Sequence, residues 1–243
     1  MIISSKDNAL IKKVSSLSDK KYRKLYGQFI VESVKAVAEC INAGMDVEII
    51  ICTQDLADKF NGAQVVTDAV FSKISTEKSP QGMLAVVNTP ENTLCAPKGN
   101  CLLLDRLQDP GNLGTIIRTA NAAGYEDIYL YNCTDAYSPK AIRASMGGVF
   151  NVNLHEGNLD EIFNALEGVQ VLSADMDGEN VFAFTPEDKV CLCVGNEGNG
   201  LCDEVIARSD NTVKIPMRDS CESLNAAISA AIAMYALKNN QRR

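Results

Sequence analysis

The sequence of 243 residues has one histidine, no tryptophan and no CxxC pair. With a single histidine, a serine–histidine–aspartate hydrolase would have to use His155, which has no serine partner close in sequence. The reading therefore gives His155 a surface-loop position rather than the role of a catalytic base. Without paired cysteine ligands, no structural zinc site and no metal are expected. No apolar stretch reaches the length of a membrane span, and the N-terminus lacks the charged-then-apolar order of an export signal. The expected location is the cytoplasm. The nine cysteines are scattered and several lie in apolar runs (Cys101, Cys191, Cys193), so they read as buried reduced thiols. Positive charge is also short: the formal net charge of −8 argues against indiscriminate binding to a polyanion. The exception is Lys6–Lys24, where seven basic residues face only Asp7 and Asp19. A solvated helical face and a basic arm for a phosphate backbone are the two readings of that stretch.

What is present is an ordinary globular composition, 46% hydrophobic and 22% charged. Apolar periodicity places a helix at Asn8–Leu17, a strand at Gln28–Val31, a helix at Ser33–Ala43, and strands at Val47–Cys52, Val65–Val66 and Met83–Val87. A helical turn fits Asp68–Lys73. Asn88–Asn100, with two prolines and a glycine, reads as a linker. Beyond it, strands at Cys101–Asp105, Ile128–Tyr131, Val152–Leu154, Val169–Ala174, Val190–Val194 and Val213–Ile215 alternate with helices. Those helices are Thr115–Ala123, Pro139–Met146, Leu159–Leu166 and a last one from about Glu222 to Asn239. The last is read with Leu224, Ala227, Ile228, Ala231, Ile232 and Tyr235 as its apolar face, while Ala226, Ala230 and Ala233 allow close packing. Such alternation implies a mainly parallel α/β sheet covered on both faces. The expected division is a small α/β domain over residues 1–95 and a second domain over 96–243.

Three loop clusters could carry chemistry. In the first, Asn112 lies on the loop after Asp105 and Arg118 projects from the start of the next helix, as a surface residue or an anion contact. In the second, Gly195-Asn196-Glu197-Gly198-Asn199-Gly200 follows a buried strand. Its spacing is neither a dinucleotide fingerprint nor a P-loop, so it is a tight turn or a ligand loop whose amides cradle something polar. In the third, Ser220 or Ser223 suits a helix cap and Glu222 the positive helix end, but neither explains Asn225 inside the helix.

These clusters resemble the SpoU/TrmH family of RNA ribose 2′-O-methyltransferases, of the SPOUT superfamily. The resemblance rests on Leu104–Gly124 (LDRLQDPGNLGTIIRTANAAG), Val194–Leu201 (VGNEGNGL) and Ile215–Ile232 (IPMRDSCESLNAAISAAI), in the family's order and spacing. Arg143–Phe150 (RASMGGVF) is similar to the intervening segment, and Phe29–Gly44 with Ser79–Val87 to the family's substrate-binding domain. Ser33 stands where the family usually has glycine. The resemblance implies a C-terminal SPOUT domain with a deep trefoil knot and a homodimer in which each site borrows residues from its partner. It implies S-adenosyl-L-methionine held by Gly195, Asn196, Glu197, Gly198, Ile215, Pro216, Met217, Ser223 and Leu224. Arg118, Asn112, Glu197, Ser223 and Asn225 would form the catalytic set, and Arg118 is either the base or a stabiliser of phosphate and alkoxide. RNA, ribosomal ahead of transfer RNA, would be met by Lys12, Lys13, Lys20, Lys21, Arg23 and Arg143. The alternatives are a non-catalytic RNA-binding protein of the same fold and a nucleotide-dependent enzyme using the same sheet edge.

Overall fold

The computed structural model describes residues 2–60, 62–221 and 223–241, so Glu222 lies outside the described residues. Asn8 caps α1 (Ala9–Ser16) by accepting from the Leu10 N–H at 2.9 Å. Ile11, Val14 and Leu17 on its expected stripe are buried. A second helix, α2 (Lys20–Tyr26), is absent from the sequence reading. It has no apolar stripe, and the residue it buries is Arg23. Asp19 caps it, and Gly27 ends it at φ +59°, in the left-handed region that glycine tolerates.

Next come β1 (Gln28–Glu32), α3 (Val34–Asn42), β2 (Val47–Thr53), β3 (Gln64–Val66), α4 (Asp68–Ile74) and β4 (Met83–Asn88). The strands order as β1–β4–β2–β3, with β4 antiparallel to both neighbours and β2 parallel to β3. Ser33 caps α3 through its hydroxyl while holding φ +101°. That angle is one that glycine adopts without penalty, and serine takes it at some cost in strain.

The C-terminal half contains β5 (Cys101–Asp105), α5 (Pro110–Ala123), β6 (Asp127–Tyr131), α6 (Pro139–Ser145), β7 (Asn153–Glu156), α7 (Leu159–Ala165), β8 (Gln170–Asn180), β9 (Val190–Val194), α8 (Asp203–Ala207), β10 (Asn211–Lys214) and α9 (Ala226–Asn240). Its six strands are all parallel, in the order β10–β8–β9–β5–β6–β7. Every residue of β5 and β9 is buried, as strands covered on both faces require. Alternate residues of β5 serve the two faces. Leu102 and Leu104 join the core with α5 and α9, whereas Cys101 and Leu103 pack with Leu159, Ile162 and Val205 from α7 and α8. The chain leaves β5 toward β6 and β7 and returns on the other side as β8 and β9. The crevice between β5 and β9 at their carboxyl ends is therefore the switch point, where α/β sheets receive ligands.

The two halves share one apolar core, and Phe29 stacks on Tyr137 across them with ring centroids 4.7 Å apart. Arg23 reaches from α2 to Asp135, with Nη2 2.7 Å from Oδ2. Both side chains are nearly buried, at 7% and 13% exposed.

Four expectations need correction. The helix after β5 begins at Pro110 rather than Thr115, because Asp109 caps it and Pro110 suits its first position; Asn112 is helical, not in a loop. The last helix begins after Asn225, which is its cap instead of an interior residue. It buries Ala226, Ala227, Ala230, Ala233, Met234, Ala236 and Leu237 and leaves Ile228 and Tyr235 about half exposed, at 53% and 51%. Ala226, Ala230 and Ala233 pack closely as expected, and it is Ile228 and Tyr235 that depart from the expected face. His155 is not on a surface loop: it is buried in β7. The nine cysteines are all free, but Cys95 and Cys221 are exposed. Burial pushes the Cys40 thiol up to about 11 and Cys133 to about 12.

Candidate functional site

The glycine loop after β9 is shaped by close approaches that no other residue type permits. A Cβ on Gly195 would lie 2.2 Å from the Gly200 carbonyl carbon and 2.3 Å from the Leu201 nitrogen. Asn196 and Gly200 exchange two backbone hydrogen bonds at 3.0 Å, closing the loop on itself. The Asn196 side chain accepts from the Gly198 and Asn199 N–H groups and donates to the Arg106 carbonyl at 2.8 Å. Its polar atoms therefore hold the loop, although Asn196 also lines the cavity. At the loop's exit, fully buried Asp105 accepts from the Cys202 N–H at 2.6 Å and from Arg106 Nε at 2.7 Å. Arg106 adopts φ +55°, strained for a non-glycine residue. The sequence reading ended a strand at Asp105 but missed this anchoring role.

The loops after the neighbouring strands β5 and β9 face one another across the switch point. Glu197 Oε1 accepts from Asn112 Nδ2 at 2.9 Å, and Asn112 Oδ1 accepts from Asn225 Nδ2 at 3.0 Å. Asn225 Oδ1 in turn accepts from the Ala227 and Ile228 N–H groups at the start of α9. All three amide and carboxylate orientations thus run in one direction, from helix end to carboxylate. Burial opposes ionisation of Glu197. Hydrogen bonds from Asn112 and from backbone N–H groups outweigh it and hold the carboxyl below its ordinary value.

Beside this chain lies a cavity of about 400 Å³, within the size range of small-molecule sites. Gly195, Asn196, Glu197, Gly198, Ile215, Met217, Ser223 and Leu224 all line it, whereas Pro216 does not. Ala174, Asp175 and Met176 also line it and escaped the sequence reading, because β8 runs on to Asn180 past its expected end at Ala174. Ser229 and Ala233 enter from α9.

Arg118 stands apart from this cavity wall. It is exposed and has no side-chain partner among the described residues. Its Cα lies 3.0 Å from where a Cβ on Gly148 would sit, so glycine there lets the two segments touch. Gly114 plays the same part between α5 and α6, since its Cβ would lie 2.3 Å from the Ala141 carbonyl oxygen.

The residues expected to meet RNA divide sharply. Lys12, Lys20 and Lys21 are exposed and Lys13 is half-buried. Lys13 lies over the Tyr26 ring and Lys21 over Tyr22. Arg23 is not a free cation: it is buried, holds Asp135, and donates to the Leu17 and Ser18 carbonyls. Arg143 pairs with Glu77 at 3.2 Å and donates to Thr76, bridging the two halves.

The model of the SpoU rRNA methylase family matches residues 99–235, which contain every part of this site. The chain belongs to the SpoU rRNA methylase family. Residues 8–85 match the MRM3-like substrate binding domain. A similar protein is the 23S rRNA (guanosine(2553)-2′-O)-methyltransferase RlmP of Bacillus subtilis, 33% identical over 97% of this chain and 98% of the relative. The AdoMet-bound rRNA methyltransferase of Sinorhizobium meliloti has the same fold, with a TM-score of 0.89 at 28% identity over 99% of this chain and 98% of that one. The SpoU methyltransferase AviRb of Streptomyces viridochromogenes, in complex with the cofactor AdoMet, gives 0.88 at 25% identity over 97% and 98%.

Proposed function

We propose that this chain is an S-adenosyl-L-methionine-dependent methyltransferase acting on a ribose 2′-hydroxyl of ribosomal RNA. The observation that carries the reading is the Glu197–Asn112–Asn225 chain set against the cavity that the family motifs enclose. The cavity suits that cofactor. Gly195 removes a side chain where one would fill the loop, Ile215, Met217 and Leu224 supply apolar wall, and Glu197 supplies negative charge. S-Adenosylmethionine, when bound, supplies a methyl group on a positively charged sulfur.

The chain's own task is to align the acceptor and manage its proton. Arginine stays protonated, so Arg118 is poorly suited to act as a base. Exposed and unpaired among the described residues, it is suited to hold a phosphate beside the reacting ribose and to stabilise charge as the hydroxyl becomes an alkoxide. The proton leaves through water or phosphate. Asn112 and Asn225 position Glu197, and Ser223 offers a hydroxyl at the cavity edge.

Further parts of the reading are a boundary between residues 95 and 96, a knotted C-terminal domain, a cytoplasmic location and a homodimer. Exposed Ile228 and Tyr235, on the helix that carries Ser229 and Ala233, support the dimer. Lys12, Lys13, Lys20 and Lys21 contact RNA phosphates in this account. Calorimetry tests the cofactor: micromolar binding, about −8 kcal/mol, is expected. Failure to bind, or binding of NAD instead, refutes the reading. Mass-spectrometric mapping of 2′-O-methyls in RNA from cells with and without the protein identifies the nucleotide.

A further inference from the structure

His155, the sole histidine, sits with two other potential metal ligands, none of which lines the methyl-transfer cavity. The parallel register sets Asp127 beside Asn153 and Tyr129 beside His155. Alternate residues on a strand share a face, so these four lie together on β6 and β7. The linker between the two halves crosses them and is pinned there. Asn92 exchanges two hydrogen bonds at 2.8 Å with the backbone of Glu156, and the Tyr129 hydroxyl donates to the Cys95 carbonyl at 2.6 Å. The Cys95 sulfur, an Asp127 carboxylate oxygen and a His155 ring nitrogen consequently all lie within 4.8 Å of one another.

The surroundings orient these atoms as the outer shell of a metal site does. Nδ1–H of His155 donates to the Thr93 carbonyl at 2.5 Å, which turns Nε2 toward Asp127 Oδ1 at 3.0 Å. Asp127 also accepts from Asn153 Nδ2 at 2.9 Å and from the Lys98 N–H at 3.2 Å. A backbone carbonyl behind the histidine and donors behind the carboxylate are the usual supports of such ligands. Both ring nitrogens are engaged, so the group does not form a thiol–imidazole nucleophile. The Cys95 thiol is free and exposed, and its sulfur has no hydrogen-bond partner among the described residues.

We propose that Cys95, Asp127 and His155 bind a thiophilic divalent cation of the zinc class, which fastens the linker to the edge of the parallel sheet. A thiolate, a carboxylate and a neutral imidazole balance a charge of +2 and leave a fourth position for water on the exposed side. Bond lengths of about 2.0–2.3 Å require the ligand atoms to draw together by roughly an ångström, and Cys95, on the linker, is the member that moves. None of the three residues lines the cofactor cavity, so the site stands independently of the methyltransferase reading.

The test is zinc titration of the reduced, metal-free full chain against a chromophoric chelator, repeated with Co²⁺ to detect thiolate-to-metal charge transfer. The expected result is one equivalent bound, with the charge-transfer band. Cys95→Ser should abolish the band and weaken zinc binding by at least the roughly 10–100-fold seen for loss of an outer-shell partner. Cys221→Ser, at the other exposed cysteine, should change neither. Asp127→Asn, checked for folding by circular dichroism, should weaken binding in the same way. Absence of zinc binding, or binding unchanged by Cys95→Ser, overturns the proposal.

Discussion

The side-chain amides of Asn112 and Asn225 meet at 3.0 Å although 113 residues separate them in the chain. Their hydrogen bond joins the start of α5 to the start of α9, and through Asn112 it passes to Glu197 on the loop between β9 and α8. Three segments far apart in sequence are thereby fixed around one cavity.

Asn112→Ala should break this chain and leave Glu197 without its charge-assisted donor. A hydrogen bond to a charged group contributes about 1.5–3 kcal/mol, so cofactor affinity should fall by roughly one to two factors of ten. The pH response should move as well. The folded state holds Glu197 below its reference value of 4.5. The stability gained is therefore present above that pH and is lost as pH falls through the lower folded value. Affinity follows the carboxyl of the folded protein, so calorimetry should find it steady from neutrality to mildly acidic pH and falling only as the lowered folded value is reached. In Asn112→Ala that onset should move upward.

Gly195→Ala probes the loop itself. The added methyl would lie 2.2 Å from the Gly200 backbone, where no flexible side chain can yield. The loop must open, at a cost of about 1–3 kcal/mol or more. Cofactor binding should weaken correspondingly while the far-UV circular dichroism stays native. Wild-type affinity in this variant would show that the loop's closed form is not the binding form.

Arg23→Ala should act on stability rather than on RNA affinity. It leaves Asp135, 13% exposed, without its partner, and breaking a buried pair this way costs about 3–5 kcal/mol. Urea unfolding measures the loss. If stability is unchanged and RNA binding falls instead, Arg23 is a phosphate ligand after all.

Changing Lys12, Lys13, Lys20 and Lys21 together to Gln tests the basic arm. For every phosphate the arm no longer neutralises, the slope of log affinity against log salt should flatten by about 0.7–0.9. S-Adenosylmethionine affinity should not change. An unaltered salt slope would make the arm a solvated face.

Much of this arrangement was legible in the sequence, because it depends on local signals. Buried runs such as Val190–Val194 and the glycines that follow gave the strand and its loop, while the cavity residues between Gly195 and Leu224 were implied by the resemblance to the SpoU/TrmH family, and all of them but Pro216 line the cavity. What escaped depends on distant partners. Arg23 looks like one more cation in a basic run until Asp135 is placed beside it. Asn225 looks like an unfavourable interior residue until the helix is seen to begin after it. Asp109 and Pro110 together do mark a helix start, and weighing them as a cap would have put Asn112 in the first turn. Cys95, Asp127 and His155 have no motif spacing at all. Only the register of β6 with β7 and the path of the linker bring them together.

The most direct test of the account is transfer from labelled S-adenosylmethionine to deproteinised ribosomal RNA, followed by alkaline hydrolysis. A 2′-O-methyl blocks cleavage at its own nucleotide, because the hydroxyl that attacks the neighbouring phosphate is gone. Wild-type protein should place the label in alkali-resistant dinucleotides. Arg118→Ala should bind the cofactor within about a factor of three yet transfer roughly a hundredfold or more slowly at saturating RNA. Label recovered in mononucleotides, on a base, or no transfer by the wild-type protein, would contradict the account.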